Sequence, residues 1–224
     1  MTALEMLQLV SPSLPVGAFS YSEGLEWLVQ TGKISNEADL SNWLQAELLR
    51  GQLRIEAAAQ TPIREALQTW KASKSPKAKI CVTDWNCWLL ALRDSSEIRS
   101  QQVQMGRSLM QLLDELGHPL PDRSKDFSWP VAWGWAGLEW RLSKLEVIEA
   151  YLYSWVANQL SAAVRLIPLG PTKAQAVQCN LLPLIRKQAE LLLDKDPHNL
   201  WTGDVGSTFA QLSHAELYSR LFRS

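Results

Sequence analysis

The chain has few cysteines and histidines and no excess of either charge. Its 224 residues include three cysteines and three histidines, and 22 Lys and Arg side chains stand against 23 Asp and Glu side chains. Because the cysteines are odd in number and form no C-x-x-C pair, we expect no disulfide framework and predict a reducing compartment. The balanced charge argues against general nucleic-acid binding, since domains of that class are usually basic.

The sequence also lacks a long apolar run. The longest stretch, Trp85 to Leu92, is far shorter than the roughly 20 residues that a membrane span needs. Met1 is followed by Thr-Ala-Leu-Glu, which has neither the basic nor the apolar region of a secretory signal. We therefore expect a cytoplasmic protein with no membrane partner.

Motifs for catalysis and metal binding are missing as well. There is no phosphate-binding loop and no G-x-S-x-G nucleophile elbow. The histidines are far apart in sequence, and the Glu-x-x-His pattern at Glu115–His118 occurs only once, whereas di-iron bundles need two. Glu23 and Glu26 share a predicted helix face, but such pairs are most often solvated. The sequence predicts no catalytic residue, no metal site and no enzymatic activity.

What the chain does contain is helical periodicity and tryptophan. Apolar residues make up 46% of the sequence, with 11 tryptophans, and their spacing is helical almost everywhere. Helix-capping residues occur at Ser35 or Asn36, near Ser95, and in the Ser143–Glu146 capping box. We predict an all-α fold in which residues 1–224 form a single domain of roughly eight to ten helices.

Four boundaries are predicted from local sequence signals. Pro62 is expected to divide one helical segment from the next. Lys71–Lys79, with four lysines, is interpreted as a linker, and Asp194–Gly206 as irregular. Ser213–Glu216 has the form of a capping box and is predicted to open a short last helix.

Three segments go beyond what a generic helical domain requires. Leu14–Ser22 is a rigid turn followed by aromatic and hydroxyl side chains, and it could also be an ordinary helix connection. Trp129–Trp140 is either core or an interface, since aromatic residues are enriched in both. Leu217–Ser224 combines Tyr, Arg and Phe at the end of the chain and is either a frayed tail or an interaction tail.

Five blocks, in this order, resemble the UreF family of urease accessory proteins. They span nearly the whole chain, and the first and last are the most specific: Ser13–Glu26, Arg99–Gly106, Pro130–Gly134, Arg165–Gly170 and His214–Ser224. The resemblance implies an all-helical, homodimeric assembly factor without chemistry of its own. Such a factor bridges UreD (also called UreH) and the GTPase UreG, and the complex delivers nickel to apo-urease on GTP hydrolysis. Nickel is then handled by the complex, and no cofactor is expected in this chain.

The resemblance also implies which residues contact partners. Residues 207–224 would form a docking segment that orders on UreD, with Arg220 as a polar anchor. Tyr153 would belong to the dimer interface or to the surface that faces the GTPase. The full predicted set is Phe19, Tyr21, Glu26, Tyr153, Arg165, His214, Tyr218, Arg220, Leu221, Phe222, Arg223 and Ser224.

An alternative function from another class is a small helical enzyme or an apolar-ligand-binding protein. In that hypothesis the tryptophans line a pocket, and Glu23 or Glu26 acts as acid or base. A nickel carrier is a third hypothesis, which the scarcity of His and Cys disfavours.

Overall fold

The computed structural model describes residues 4–122, 126–203 and 205–224, and within these ranges the chain forms ten α-helices and no strand. The predicted all-α class and the number of helices are therefore confirmed. Two short 3-10 turns cover Ala18–Ser20 and Pro197–Asn199. The helices are α1 (Leu4–Leu9), α2 (Leu25–Gln30), α3 (Glu37–Arg50), α4 (Leu53–Ser73), α5 (Pro76–Ala91), α6 (Ser96–Glu115), α7 (Trp129–Glu139), α8 (Lys144–Leu166), α9 (Pro171–Leu192) and α10 (Val205–His214).

Helix α7 lies at the centre of the fold. Every residue from Trp129 to Gly137 is buried, because α4, α6 and α8 pack around this helix. Gly106 lets α6 lie very close to the main chain that leads into α7. A Cβ atom at this position would collide with the main chain at Phe127 and Ser128. Helices α8 and α9 then pack against each other on one side of this core.

The tryptophans of α7 belong to the core. Trp133 and Trp135 are almost completely buried. The Nε1 atom of Trp133 donates to the main-chain oxygen of Val147 at 3.1 Å, and that of Trp135 donates to His118 at 2.9 Å. Each buried indole therefore has a partner for its single N–H group. By contrast, the side chain of Trp201 is 87% exposed.

The prediction that Pro62 divides two helices was wrong. Pro62 lies inside α4, which continues from Leu53 to Ser73. A proline removes one main-chain donor from a helix, but tertiary packing compensates here. Ala58, Ala59 and Ile63 around it are completely buried against neighbouring helices.

The predicted lysine-rich linker was also wrong. Helix α4 ends at Ser73 and α5 begins at Pro76, so only two residues separate them. Ser75 caps α5 by accepting a hydrogen bond from the amide of Ala78 at 3.2 Å. Pro76 occupies the first turn, where a missing N–H costs nothing.

The end of the chain differs from the prediction too. Ser213–Glu216 does not open a helix, because α10 begins earlier, at Val205, and ends at His214. Residues 215–224 contain only turns and bends. The segment Asp194–Gly206, predicted as irregular, includes the 3-10 turn at Pro197–Asn199 and the first residues of α10.

Candidate partner-binding surfaces

The last ten residues lie on the chain itself, against the segment that precedes α2. The main-chain oxygen of Ser224 accepts hydrogen bonds from the amides of Ser22 at 2.6 Å and Glu23 at 3.0 Å. The amide of Arg223 donates to the main-chain oxygen of Ser20 at 2.9 Å. We call residues 215–224 the tail, and these bonds attach it to the segment that precedes α2.

Glu26 of α2 is the main anchor of the tail. Its side chain is 2% exposed, and its carboxylate accepts from the amides of Leu221 at 2.6 Å and Phe222 at 3.0 Å. The second oxygen also faces the Nε2 atom of His214 at 3.0 Å. Hydrogen bonds to an ionised acceptor are stronger than neutral ones, so this buried carboxylate fixes the tail against α2.

His214 connects α2 with α6. Its side chain is fully buried, and its Nδ1 atom lies 3.2 Å from Oε2 of Glu97. The other oxygen of Glu97 accepts from the guanidinium of Arg220 at 2.5 Å. The tail is thereby attached to α6 through Arg220 as well as to α2 through Glu26.

Arg165 of α8 also contacts the tail. Its guanidinium lies over the ring of Phe222, 4.2 Å from the ring centroid, and it donates a hydrogen bond to the main-chain oxygen of Phe19. Phe222 is 4% exposed, so its ring packs into the protein. This cation–π contact joins the tail to α8, and the hydrogen bond joins α8 to the segment around Phe19.

The predicted partner-binding residues fall into two groups in the structure. One group is buried within the chain: Tyr21, Glu26, His214, Phe222 and Ser224. The other group faces outward or lies at the surface: Phe19, Tyr153, Arg165, Tyr218, Arg220, Leu221 and Arg223. In this arrangement, only the second group can contact a partner directly. Tyr218 is completely exposed.

Helix α10 carries an exposed apolar face that the sequence analysis missed. Val205, Phe209 and Leu212 are 81%, 58% and 47% exposed, and their i, i+4, i+7 spacing places them on one side. The opposite side, with Ala210 and His214, is buried. A surface helix normally buries its apolar side, and exposed apolar patches mark interaction sites. The spacing was visible in the sequence, but the direction of the face was not.

A second surface is a groove of about 520 Å³ between α1, α8 and α9. Tyr153 lines it, and none of its lining residues in the described part of the chain is charged. At its wall, Gln178 is 5% exposed, and its Nε2 atom has no partner within the described residues. A buried amide donor without an acceptor is costly, so this groove suits an occupant that supplies one.

The groove only partly resembles the tryptophan-lined pocket of the alternative hypothesis. Trp129 and Trp133 contribute to its lining, but both are buried core residues, and most other lining side chains are aliphatic or small. Glu23, one of the two candidate acid or base residues, does not line the groove and has hydrogen-bond partners of its own. Glu23 accepts from Gln101 at 2.7 Å and from the indole of Trp155 at 2.9 Å.

Neither a metal site nor a membrane-spanning helix is found in the part of the chain that the structure describes. In residues 4–122, 126–203 and 205–224, no group of three or more His, Cys, Asp or Glu side chains is placed to hold a metal ion. Within the same ranges, no helix combines the length and apolar character that crossing a bilayer requires. Cys81, Cys87 and Cys179 are exposed, unpaired thiols.

A buried charge cluster joins α4 to α8. The Nε atom of Arg93 donates to Glu56 at 3.0 Å, and the hydroxyl of Tyr151 donates to the other oxygen of Glu56 at 2.7 Å. Burial disfavours the charged form of Arg93, but the adjacent carboxylate outweighs this effect, and the pKa of Arg93 is raised. Burial, with the Glu56 charge as a second cause, raises the pKa of Tyr151 well above its usual value.

Comparison with known proteins agrees with the resemblance in the sequence. The family model for UreF matches residues 34–182. A protein named urease accessory protein UreF from Prochlorococcus marinus subsp. pastoris is 41% identical over 218 residues, which cover 96% of each chain. Its namesake from Nostoc is 39% identical over 225 residues, covering 99% of this chain and 95% of the relative. That from Microcystis aeruginosa is 37% identical, with 98% and 96% covered.

A match to two thirds of the chain and identities near 40% over almost its full length establish the relationship. The chain belongs to the UreF family of urease accessory proteins.

Proposed function

We propose that this protein is a cytoplasmic nickel-insertion chaperone without catalytic activity. It scaffolds UreD (UreH) and the GTPase UreG, so that nickel reaches apo-urease when GTP is hydrolysed. The nickel is cargo of the complex, and the chain itself has no resident cofactor. The observation that carries this proposal is the exposed apolar surface formed by α10 and the tail, because a scaffold needs a fixed surface of this kind.

The surface assigned to UreD combines the outer face of α10 with the outward side chains of the tail. Phe209 and Leu212 supply apolar area on the helix, and Tyr218 and Leu221 supply it on the tail. Arg220, between Tyr218 and Leu221 in the sequence, is paired with Glu97, and 37% of its side chain stays exposed. Aromatic, aliphatic and Arg side chains grouped in this way are typical of binding hot spots.

The test is a pull-down with co-expressed cognate UreD. We expect the Tyr218→Ala, Leu221→Glu double variant to lose UreD, because it places a charge in the apolar surface and removes an aromatic anchor. Leu191→Glu is the matched control, since Leu191 is an exposed leucine on α9 away from this surface. Deleting the segment from Ser213 onward is a less clean test, because it also removes the buried His214.

Two results bear on this assignment in opposite directions. Capture of UreD by the native chain and the control, but not by the double variant, supports it. Equal capture by all three proteins shows that UreD binds elsewhere. Failure of the native chain to capture UreD at all contradicts the scaffold function itself.

We also propose that the groove at Tyr153 is the homodimer interface. In a two-fold interface the residues near the symmetry axis meet their own copies, so a charge there would be repelled and an uncharged groove suits self-association. Leu7 and Phe19 line the same groove with 55% and 65% of their surface exposed and are available to the second copy. A carbonyl group from that copy would satisfy the amide of Gln178.

Light scattering after size-exclusion chromatography tests the dimer. The native chain should elute with twice its mass of 25.2 kDa, and Ser161→Arg should elute as a monomer because it puts a charge into the groove. Ser100→Arg, on an exposed position of α6, should remain dimeric. A dimeric Ser161→Arg variant would place the interface elsewhere, and a monomeric native chain would contradict dimerisation.

A further inference from the structure

A small chamber lies inside the protein, between the segment that precedes α2 and helices α4, α6, α7 and α8. Its volume is about 20 Å³, and none of the lining residues that the structure describes is exposed. We propose that this chamber binds one structural water molecule, which bridges Gln102 of α6 and Gln159 of α8. The site lies in the interior of the chain and does not depend on the proposed function.

The two glutamines each bring a buried side-chain oxygen to the chamber. Gln102 is 4% exposed and Gln159 is 1% exposed, and both line the chamber. Within the described residues, neither Oε1 atom has a hydrogen-bond partner. Because a buried acceptor without a donor is costly, each of these two oxygens needs a donor at this place.

Several donors that line the chamber already have other acceptors. The hydroxyl of Tyr151 donates to Glu56 at 2.7 Å, and the indole of Trp155 donates to Glu23 at 2.9 Å. The hydroxyl of Ser154 donates to the main-chain oxygen of Tyr151 at 3.1 Å. A hydroxyl or an indole has a single hydrogen to donate, so these three side chains do not serve the two amide oxygens.

A water molecule matches the chamber in size and in hydrogen-bonding capacity. A cavity of roughly 10–15 Å³ holds one water, and this chamber offers about 20 Å³. Water has two hydrogens, so one molecule can donate to both amide oxygens. Its own oxygen can accept from the hydroxyl of Tyr21 or the amide of Asn158, which also line the chamber. Since water both donates and accepts, it satisfies either orientation of the two glutamine amides.

The bridging water connects the two helices that hold the tail from different directions. Helix α6 binds Arg220 through Glu97, and α8 contacts the ring of Phe222 through Arg165. Buried waters of this kind typically make about three hydrogen bonds and are costly to remove. The water therefore helps to fix α6 and α8 relative to each other.

A high-resolution crystal structure of the full chain tests the site directly. The crystals are grown without ammonium or potassium salts, because these cations have contact distances close to those of water. We expect one density peak within about 2.7–3.2 Å of the side-chain amides of both Gln102 and Gln159. A chamber without density, or a peak that contacts only one of the two amides, would overturn the bridge. A peak with oxygen contacts of about 2.0–2.6 Å would be a metal ion and would overturn the assignment to water.

Substitution of the two glutamines, singly and together, tests the bridge in solution. Gln159→Leu removes one acceptor of the water and leaves the oxygen of Gln102 poorly paired, so we expect the unfolding equilibrium constant to rise about tenfold. Gln102→Leu should have a similar effect. The double variant replaces both acceptors by apolar side chains of similar size, and it should lose no more stability than either single variant.

Urea denaturation followed by circular dichroism measures these effects. Gln104→Leu is the matched control, since Gln104 is an exposed position on α6, and its equilibrium constant should change by less than about twofold. Additive losses in the double variant would mean that the glutamines act independently, which contradicts a shared water. Single variants as stable as the control would contradict it too. If a single variant fails to fold, the crystal structure of the native chain still decides the site.

Discussion

At the scale of single residues, Arg93 and Glu56 form a buried ion pair, with side chains 6% and 3% exposed. Removing one member of such a pair leaves an uncompensated charge in the interior. We expect Arg93→Met to lower the free energy of unfolding by about 3 kcal/mol, because Glu56 would keep only the hydroxyl of Tyr151 as a strong donor. Urea denaturation followed by circular dichroism measures this difference.

The control is an ion pair at the surface. Arg107 lies 2.9 Å from Asp126, and its side chain is 52% exposed. Because water screens such pairs, Arg107→Met should change the unfolding free energy by less than about 1 kcal/mol. Similar losses in both variants would show that burial does not strengthen the pair between Arg93 and Glu56.

Residue identity alone revealed the candidate tail, but not its partners. Tyr218 and Arg220 stand out because Tyr and Arg side chains are enriched at binding hot spots. The sequence could not show that Glu26 accepts the amides of Leu221 and Phe222, because these groups are separated by almost 200 positions.

At the scale of elements, local capping signals were the most reliable part of the sequence. Asn36, Ser95 and Ser143 all cap helices as predicted, because an N-cap depends on neighbours within four residues. The same pattern at Ser213–Glu216 failed, since tertiary contacts of His214 there determine where α10 ends. Pro62 failed for a related reason: packing against the core outweighs the local cost of a proline.

The Ser143 capping box allows a direct test at this scale. Its hydroxyl accepts from the amide of Glu146 at 3.2 Å, and the Glu146 carboxylate accepts from the amide of Ser143 at 2.7 Å. We expect Ser143→Ala to lower the unfolding free energy by about 1 kcal/mol. Ser100→Ala, within α6, should cause no loss. An equal loss in both variants would mean that capping does not contribute to the stability of α8.

The contribution of Glu146 should depend on pH. Its pKa is lowered, first by the hydrogen bond from the Ser143 amide. A depressed pKa in the folded state means that the stabilisation is complete above the unfolded value and is lost as the pH falls through the folded one. Glu146→Gln should therefore make the unfolding free energy less sensitive to acid, which denaturation series between pH 3 and pH 6 would show.

At the scale of the whole molecule, the fold consists of a central core and a tail that is attached to it. Leu152 of α8 is completely buried in the core, so Leu152→Ala should lower the unfolding free energy by about 3 kcal/mol. Phe222 is almost as buried, at 4% exposed, but it lies on residues 215–224, which form no helix, and we expect this segment to open while the helices stay folded. The decrease in unfolding free energy caused by Phe222→Ala cannot exceed the free energy of opening this segment alone.

We therefore expect Phe222→Ala to cost less global stability than Leu152→Ala and to increase hydrogen exchange mainly in residues 215–224. Leu152→Ala should instead increase exchange throughout the core helices. If Phe222→Ala lowers the urea midpoint as much as Leu152→Ala does, and the tail exchanges together with α8, then tail and core unfold as one unit. The tail would in that case be part of the cooperative core. A mutation in a segment that opens separately lowers the free energy of global unfolding by less than its full local effect.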